Sequence, residues 1–557
     1  MKKLYLLFVS LFTLAVFSCN QKNSSNNTSG NSQENSDTDK KTAKSESEKK
    51  VSKRNYSITA ANAYNNIFMD SLDMESFISS GKLNDSISRR MRSFYNARNY
   101  QYAWFADSGL NEQARSFWNL QSYYADASIP KAGNYKELSG LMGRYEVAEK
   151  LEVTPQNKDL LKTELLLTEH FILHVLNTYE EGVVKRKEME RFIPIVKTDP
   201  LQMADSLLNK KHKDNKYYED GNPTYKALKE KLQLYYTVAK AGGWPVIANT
   251  ATGLKIGSSS AEVLKLKKRL QATGEMQADT TTIYNTLLDA AVKQYQVSLG
   301  LTPDGKINAS LLKYLNVTAV QRIQQLLINL DRMRWMPEPE GNLFMVNIPE
   351  FKLNVFEGAK KVFNMNVVVG KEGHNTMMFK GNMNQVVFSP YWNVPPNIVE
   401  KEIYPAMQRN PGYLEKHNME VTGNNGGLPV VRQLPGEENS LGKVKFLFPN
   451  SFDIYFHDTP AKSLFSKDKR AFSHGCIRLA EPEKLAGYVL RNNPDWPPLR
   501  INEAMNSGKE TFVKLNKPVP VIITYYTAWV DENGVLNFRD DIYGNDKIIA
   551  KKMFASL

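Results

Sequence analysis

The sequence predicts a multidomain α+β protein, and three observations predict it. Apolar residues recur at helical spacing up to about residue 338, then at a period of two from 340 to 527. Between these halves, 250–317 carries three short helical patterns. Ahead of both, 19–56 is rich in Ser, Asn and Lys and nearly free of apolar residues, which reads as a flexible tether.

A chain of 557 residues is long enough for several domains. Its 41% hydrophobic and 24% charged content excludes a disordered or membrane-embedded chain. A net charge of +13 favours acidic partners, whether nucleic acid, anionic lipid or an acidic cell-wall polymer. No zinc-finger spacing, aromatic RNA-binding motif or dense arginine helix is present, so nucleic acid is not the expected partner.

Residues 1–18 read as an export signal. Lys2 and Lys3 precede an apolar run from Leu4 to Phe17 that is too short to remain as a membrane-spanning helix. The run AVFSC resembles a bacterial lipobox, which implies a lipid on Cys19 as the membrane anchor and a periplasmic location. The chain has two cysteines, so Cys476 is then left without a partner in an oxidising compartment. A thiol there is either buried and inert or kept for reactivity.

Residues 57–248 form the helical scaffold domain. Within it LLKTELLLTEHFILHVLNTY is apolar nearly all round, as a helix buried on every side would be. His170 and His174 stand four apart on this stretch, but Phe171 takes the place of a zinc-protease glutamate and no third ligand is evident. They are expected in the core. In 250–317, Val263, Leu266 and Leu270, then Leu288, Ala291, Val292 and Tyr295, follow helical spacing; Gly274 stops the first helix and Asp304-Gly305 turns into the last. The connecting helix, 318–338, carries Val320, Ile323, Leu327, Leu330 and Met333 on one face.

Residues 340–527 read as strands. LFMVNIPEFKLNVFEGAKKVFNMNVVVG alternates around a Glu357-Gly358 turn, and NQVVFSPYW, VKFLF, FDIYFH and VPVIITYYTAWV are further strand-like runs. The weakly periodic, Gly- and Pro-containing 400–442 is expected to be a lid or binding loop. Residues 528–557 are left as a C-terminal tail.

The stretch HDTPAKSLFSKDKRAFSHGCIRL holds the parts of a thiol nucleophile. A free thiol is mostly protonated at neutral pH and needs an imidazole within reach, itself held by a third group. Gly475 permits the tight turn a nucleophile needs, and the N–H groups of Gly475 and Cys476 are candidates for an oxyanion site. His457 ends a strand-like run, and Tyr455, two residues earlier, shares its sheet face.

His457, fifteen residues and then SHGCIR resembles the signature of the L,D-transpeptidase (YkuD-type) catalytic domain. The flanking VVVGK, PYWNVPPNIVEKE, LGKVKFLFPN and SHGCIRLAEPEKLA agree, and NTMMF at 375–379 departs from the Thr-Pro usual there. L-x-x-G, V-x-x-L-x-x-x-L and A-V-x-x-Y-Q-x-x-x-G-L-x-x-D-G in 250–317 resemble the three-helix peptidoglycan-binding module. Together they resemble the large periplasmic subclass, with a scaffold, a binding module and a capping loop at 400–442.

That resemblance implies Cys476 as nucleophile, His457 as general base, the Asp458 carbonyl orienting the imidazole, and the Gly475 N–H at the oxyanion. It places Tyr455, Ser473, His474, Arg478 and Trp392 on the substrate, with Arg478 alternatively bracing the loop through a salt bridge. The reaction implied is 3→3 cross-linking of peptidoglycan tetrapeptide stems, serving as donor and acceptor, through a Cys476 thioester with release of D-Ala, and a carbapenem-type β-lactam would acylate the same sulfur. Water as acceptor would make an L,D-carboxypeptidase, and a decayed site would leave a wall-binding lipoprotein. No metal or organic cofactor is called for, because thiol, imidazole and oxyanion donors account for the chemistry. A D,D-carboxypeptidase supplying tetrapeptides would be a natural partner. A papain-like protease is disfavoured, since there the cysteine precedes the histidine.

Overall fold

The computed structural model describes residues 50–125, 134–148, 151–178, 193–209, 223–336 and 341–555. The expected signal segment, Cys19 and most of the tether lie outside them. Among the described residues no helix is long and apolar enough to cross a membrane.

The α+β expectation holds. The scaffold is built around the helix Lys158–Thr178, whose Leu160, Leu165, Leu166, Leu167, Phe171, Ile172 and Val175 are buried. Polar residues go in with them. Glu164 accepts from the N–H groups of Ala103 (2.6 Å) and Trp104 (2.9 Å) and from the Tyr95 hydroxyl (3.0 Å), and burial lifts its carboxyl to about 7. These bonds fix the approach to a short hairpin, β1 (Phe105–Ala106) and β2 (Gly109–Leu110). His170 bonds Asn134 at 2.9 Å and His174 lies edge-on to Phe117, and burial lowers both imidazoles to about 4. They are core histidines.

The helices Ala261–Ala272, Thr286–Ser298 and Ala309–Leu315 form the three-helix unit, and every core position read from its spacing is buried. Ser260, Asn285 and Asn308 cap the three helices through their side chains. The connecting helix is Ala319–Met333, opened by a capping box of Thr318 and Gln321.

Among the described residues, the main sheet of the β-rich half has nine strands. In chain order the first are β3 (Asn342–Asn347), β4 (Lys352–Glu357), β5 (Lys360–Gly370) and β6 (Lys380–Phe388). Later come β10 (Val444–Leu447), β11 (Phe456–His457), β12 (Ala471–Ser473), β13 (Ile477–Leu479) and β14 (Thr511–Thr524). Their order is β12-β5-β13-β11-β10-β6-β14-β3-β4, and β4 also pairs with β5. The sheet therefore closes on itself as an eight-stranded barrel with β12 outside on β5, which removes most free edges. The run expected as one hairpin is three strands. Its turn at Glu357–Gly358 is as read, while the turn at Ile348–Glu350 is closed by Phe351 in a left-handed conformation that the pattern does not announce.

The segment expected as a lid or binding loop carries regular structure: between β7 (Trp392–Asn393) and the strands β8 (Met419–Asn425) and β9 (Leu428–Gln433) lie short helices over 396–409 and at Tyr413–Lys416, and the strands pair in the order β7-β9-β8 around a small apolar cluster of their own. One expectation is corrected. Residues 528–555 are no tail: β15 (Ala528–Val530), β16 (Leu536–Phe538) and the helix Asn545–Met553 place Ala528, Phe538, Ile549, Met553 and Phe554 in the same core as the three-helix unit. Both segments are folded because each buries apolar surface that composition alone does not reveal.

The connecting helix holds these parts together by its polar side. Buried Arg332 bonds Glu112 of the scaffold at 2.5 Å and Asp546 of the C-terminal helix at 2.6 Å. Asn329 takes the N–H of Thr527 at 3.0 Å and its hydroxyl at 2.8 Å, as the chain leaves β14. Breaking a buried ion pair from one side strands the remaining charges. Arg332→Ala should therefore lower unfolding free energy by about 3–5 kcal/mol, read as a fall in the urea midpoint.

Candidate active site

β10, β11 and β13 lie side by side, and their registers assemble the site. Lys445 pairs with His457, and His457 with Arg478, across β11 and β13, which run parallel. The adjoining row, Phe446, Phe456 and Ile477, is wholly buried in the barrel core. Alternation then puts Lys445, His457 and Arg478 on the opposite face, with Tyr455 and Cys476 one step along. The Ile477 N–H donates to the Tyr455 carbonyl at 3.1 Å, so Tyr455 stands beside Cys476. The Tyr455 hydroxyl bonds the thiol, and its ring meets the His457 ring at 5.8 Å.

His457 is 4% exposed and its Nδ1 lies 2.5 Å from the Asp458 carbonyl oxygen. That bond makes Nδ1 the N–H donor and leaves Nε2 as the unprotonated nitrogen, the tautomer a base requires. The Asp458 carboxylate is turned elsewhere, to the Lys443 N–H at 2.9 Å and the Lys462 ammonium at 2.5 Å. Gly442 makes this possible: its φ is +60°, and a Cβ there would collide with the Asp458 carboxyl.

The turn that carries Cys476 is tied down by Ser473. Its buried hydroxyl donates to the Cys476 carbonyl at 2.5 Å and accepts from the Gly475 N–H at 3.2 Å. The expected oxyanion role of the Gly475 N–H is thereby corrected, because that donor is already engaged within the turn. Gly475 has φ +117°, where only glycine is unstrained. Thr376, in the segment that departs from the usual Thr-Pro, donates its hydroxyl to the Gly475 carbonyl at 2.7 Å. Sequence reading missed this contact, although the departure itself marked the place.

His474 points to the cap, with Nε2 2.9 Å from Glu402, and its ring packs edge-on at 4.8 Å against His374. Trp392 is partly buried against the cap's apolar cluster. Arg478 makes no salt bridge among the described residues, and its buried Nε has no hydrogen-bond partner there. The loop-bracing alternative for Arg478 is therefore not what the structure contains.

Burial dominates the electrostatics. It pushes the half-buried Cys476 thiol up to about 11, against the Tyr455 hydrogen bonds that pull it down. It lowers His457 to about 3, with the Arg478 charge, and more weakly that of Lys445, acting in the same direction. At neutral pH the resting pair is thus thiol and neutral imidazole, with no standing thiolate.

Comparison with known proteins follows the same lines. Residues 341–521 match the L,D-transpeptidase catalytic domain. Residues 89–232 match the "Scaffold domain" and residues 259–315 the "Putative peptidoglycan binding domain". A Haemophilus influenzae protein named "Putative L,D-transpeptidase" is 32% identical over 242 residues, covering 41% of this chain and 49% of that protein. The match thus spans about half the length of this curated relative. A solved L,D-transpeptidase from Mycobacterium smegmatis is 14% identical, covers 33% of this chain and 58% of its own, and has a TM-score of 0.19. One from Stackebrandtia nassauensis is also 14% identical, with coverages of 49% and 95% and a TM-score of 0.22.

A resting neutral pair has a measurable consequence. Alkylation of Cys476 by iodoacetamide should keep rising from pH 7 to pH 10, as the thiolate fraction does. Tyr455→Phe removes a hydrogen bond to the sulfur and should slow alkylation at pH 8 by roughly threefold to tenfold, the effect of half to one pKa unit. A plateau above pH 7 would indicate a standing thiolate–imidazolium pair instead.

Proposed function

We propose that this protein is an exported L,D-transpeptidase that joins peptidoglycan tetrapeptide stems through a thioester on Cys476. The observation that carries the reading is the parallel pairing of β11 with β13, which sets Tyr455, His457, Cys476 and Arg478 on one face.

The chemistry follows from those groups. As the Cys476 sulfur attacks the carbonyl before the terminal D-Ala of the donor, its proton passes to Nε2 of His457. The imidazolium forms beside the Asp458 carbonyl, which accepts from Nδ1–H and so favours the charged ring. The C–N bond then breaks, His457 returns the proton to the departing amine, and D-Ala leaves. The side-chain amine of a second stem attacks the thioester, a new amide forms, and the sulfur is released as thiol after His457 has taken the amine proton. The Tyr455 hydroxyl and the Cys476 N–H are the oxyanion donors of this scheme, in place of the engaged Gly475 N–H. Because charge separation is unfavourable in the empty site, proton transfer and attack are coupled to substrate binding.

The cap supports an amine acceptor over water. Its helical edge meets the nucleophile loop through Glu402 and His474, which restricts solvent at the thioester. The peptidoglycan-binding match at 259–315 supports the same substrate class. An export signal, a lipid on Cys19 and a periplasmic location complete the reading and belong to residues outside those described.

The test uses protein lacking residues 1–19, purified disaccharide-tetrapeptide and mass spectrometry, with Cys476→Ala alongside. Dimers lighter by one D-Ala in the wild type alone are expected. Tripeptide monomer alone would make the protein an L,D-carboxypeptidase, and absence of product and adduct would leave a wall-binding lipoprotein.

A further inference from the structure

Tyr543 lies beyond the residues that match the catalytic domain, in the segment expected to be a tail, yet its hydroxyl reaches the barrel. It donates to the Gly370 carbonyl at 2.6 Å and accepts from the Thr376 N–H at 3.2 Å. The Thr376 hydroxyl in turn accepts from the Gly370 N–H at 2.9 Å and donates to the Gly475 carbonyl at 2.7 Å. Both backbone groups of Gly370 and both polar groups of Thr376 are thus used in one closed set, and its outlet is the residue before the nucleophile.

The set is rigid at both ends. A Cβ on Gly370 would collide with the His374 carbonyl, so the 370–376 loop folds back on bare backbone. Tyr543 stacks on Tyr525 at 5.7 Å, and its N–H donates to the Tyr525 hydroxyl at 2.9 Å, while that hydroxyl donates to Asp541 at 2.7 Å. Gly475, held at φ +117°, is a glycine with more backbone conformations open to it than any other residue, so its carbonyl turns away readily if the bond is released, and a chain of hydroxyls whose members polarise one another transmits a loss at either end.

We propose that Tyr543 is a positioning residue for the reaction at Cys476, acting through Thr376 on the Gly475 carbonyl, so that the C-terminal segment is a working part of the active site. The proposal rests on Cys476 being the nucleophile. It does not depend on which acyl donor is used.

The chain lacking residues 1–19 is compared with Tyr543→Phe, Thr376→Val, Thr376→Ser and the Tyr543→Phe/Thr376→Val double variant. Two readouts are taken: kcat and KM for D-Ala release from disaccharide-tetrapeptide, and the rate of Cys476 alkylation by iodoacetamide between pH 6 and 10. Tyr543→Phe and Thr376→Val should each lower kcat by about tenfold to a hundredfold with KM within about twofold, and slow alkylation at pH 8. Thr376→Ser, which keeps the hydroxyl, should restore near wild-type rates. The double variant should fall no further than the worse single one, since both cut the same path.

Rates within about twofold of wild type for Tyr543→Phe overturn the proposal, as do losses that multiply in the double variant. Should Tyr543→Phe fail to fold, the contrast of Thr376→Val with Thr376→Ser decides whether the hydroxyl path sets the rate. Alkylation needs no peptide. An inactive wild type with slowed alkylation in the variants would therefore sink the transpeptidase reading and keep the positioning role, whereas active wild type with unaffected variants would do the reverse.

Discussion

The site depends on one parallel pairing. Most of the barrel is antiparallel, yet β11 and β13 run the same way and register His457 against Arg478. A parallel pair cannot be joined by a tight turn and needs a long crossover. Here the crossover is the stretch 458–476, which leaves the sheet after His457 and returns at Cys476. Slipping the register by one residue would turn His457 towards the barrel core and Phe456 onto the polar face of Lys445 and Arg478. The cost of taking Phe456 out of the apolar core and setting the polar ring into it holds the register in place.

From that register follows the charge pattern. His457 has a cation on each neighbouring strand, Lys445 on β10 and Arg478 on β13. Both discourage an imidazolium at rest, and burial discourages a thiolate. The Lys445 ammonium is partly committed, to the Tyr391 carbonyl at 3.3 Å and Glu510 at 3.7 Å, and Glu510 also accepts from the Tyr391 N–H at 3.0 Å. Clasping Tyr391 on both sides fixes the point where the chain departs into the cap. The same lysine thus tunes the face around His457 and anchors the root of the segment that follows Tyr391.

The surroundings make this geometry stiff. The connecting helix reaches scaffold, barrel and C-terminal segment through Arg332, Asn329 and Gln325, the last bonding the carbonyl oxygens of Thr527 and Arg539 at 3.1 and 3.2 Å. Such polar ties have direction, which apolar packing lacks, and they specify how folded parts sit against one another.

The sequence by itself determined much of this protein. Helical spacing located the three-helix unit down to Val263, Leu288 and Tyr295, because a core face is written locally in i, i+3 and i+4 steps. Cys476, His457 and Tyr455 were legible because residue type, alternation and a short motif are local as well. Tertiary structure alone decided what depends on distant partners. Closure of the barrel by β4 on β5, the engagement of the Gly475 N–H by Ser473, the seat of Trp392 in the cap and the reach of Tyr543 to Gly370 each join residues that no local period links. Apolar periodicity records which side of an element is buried. It carries no record of what that side is buried against, and the polar groups around Cys476 take their roles from that second fact.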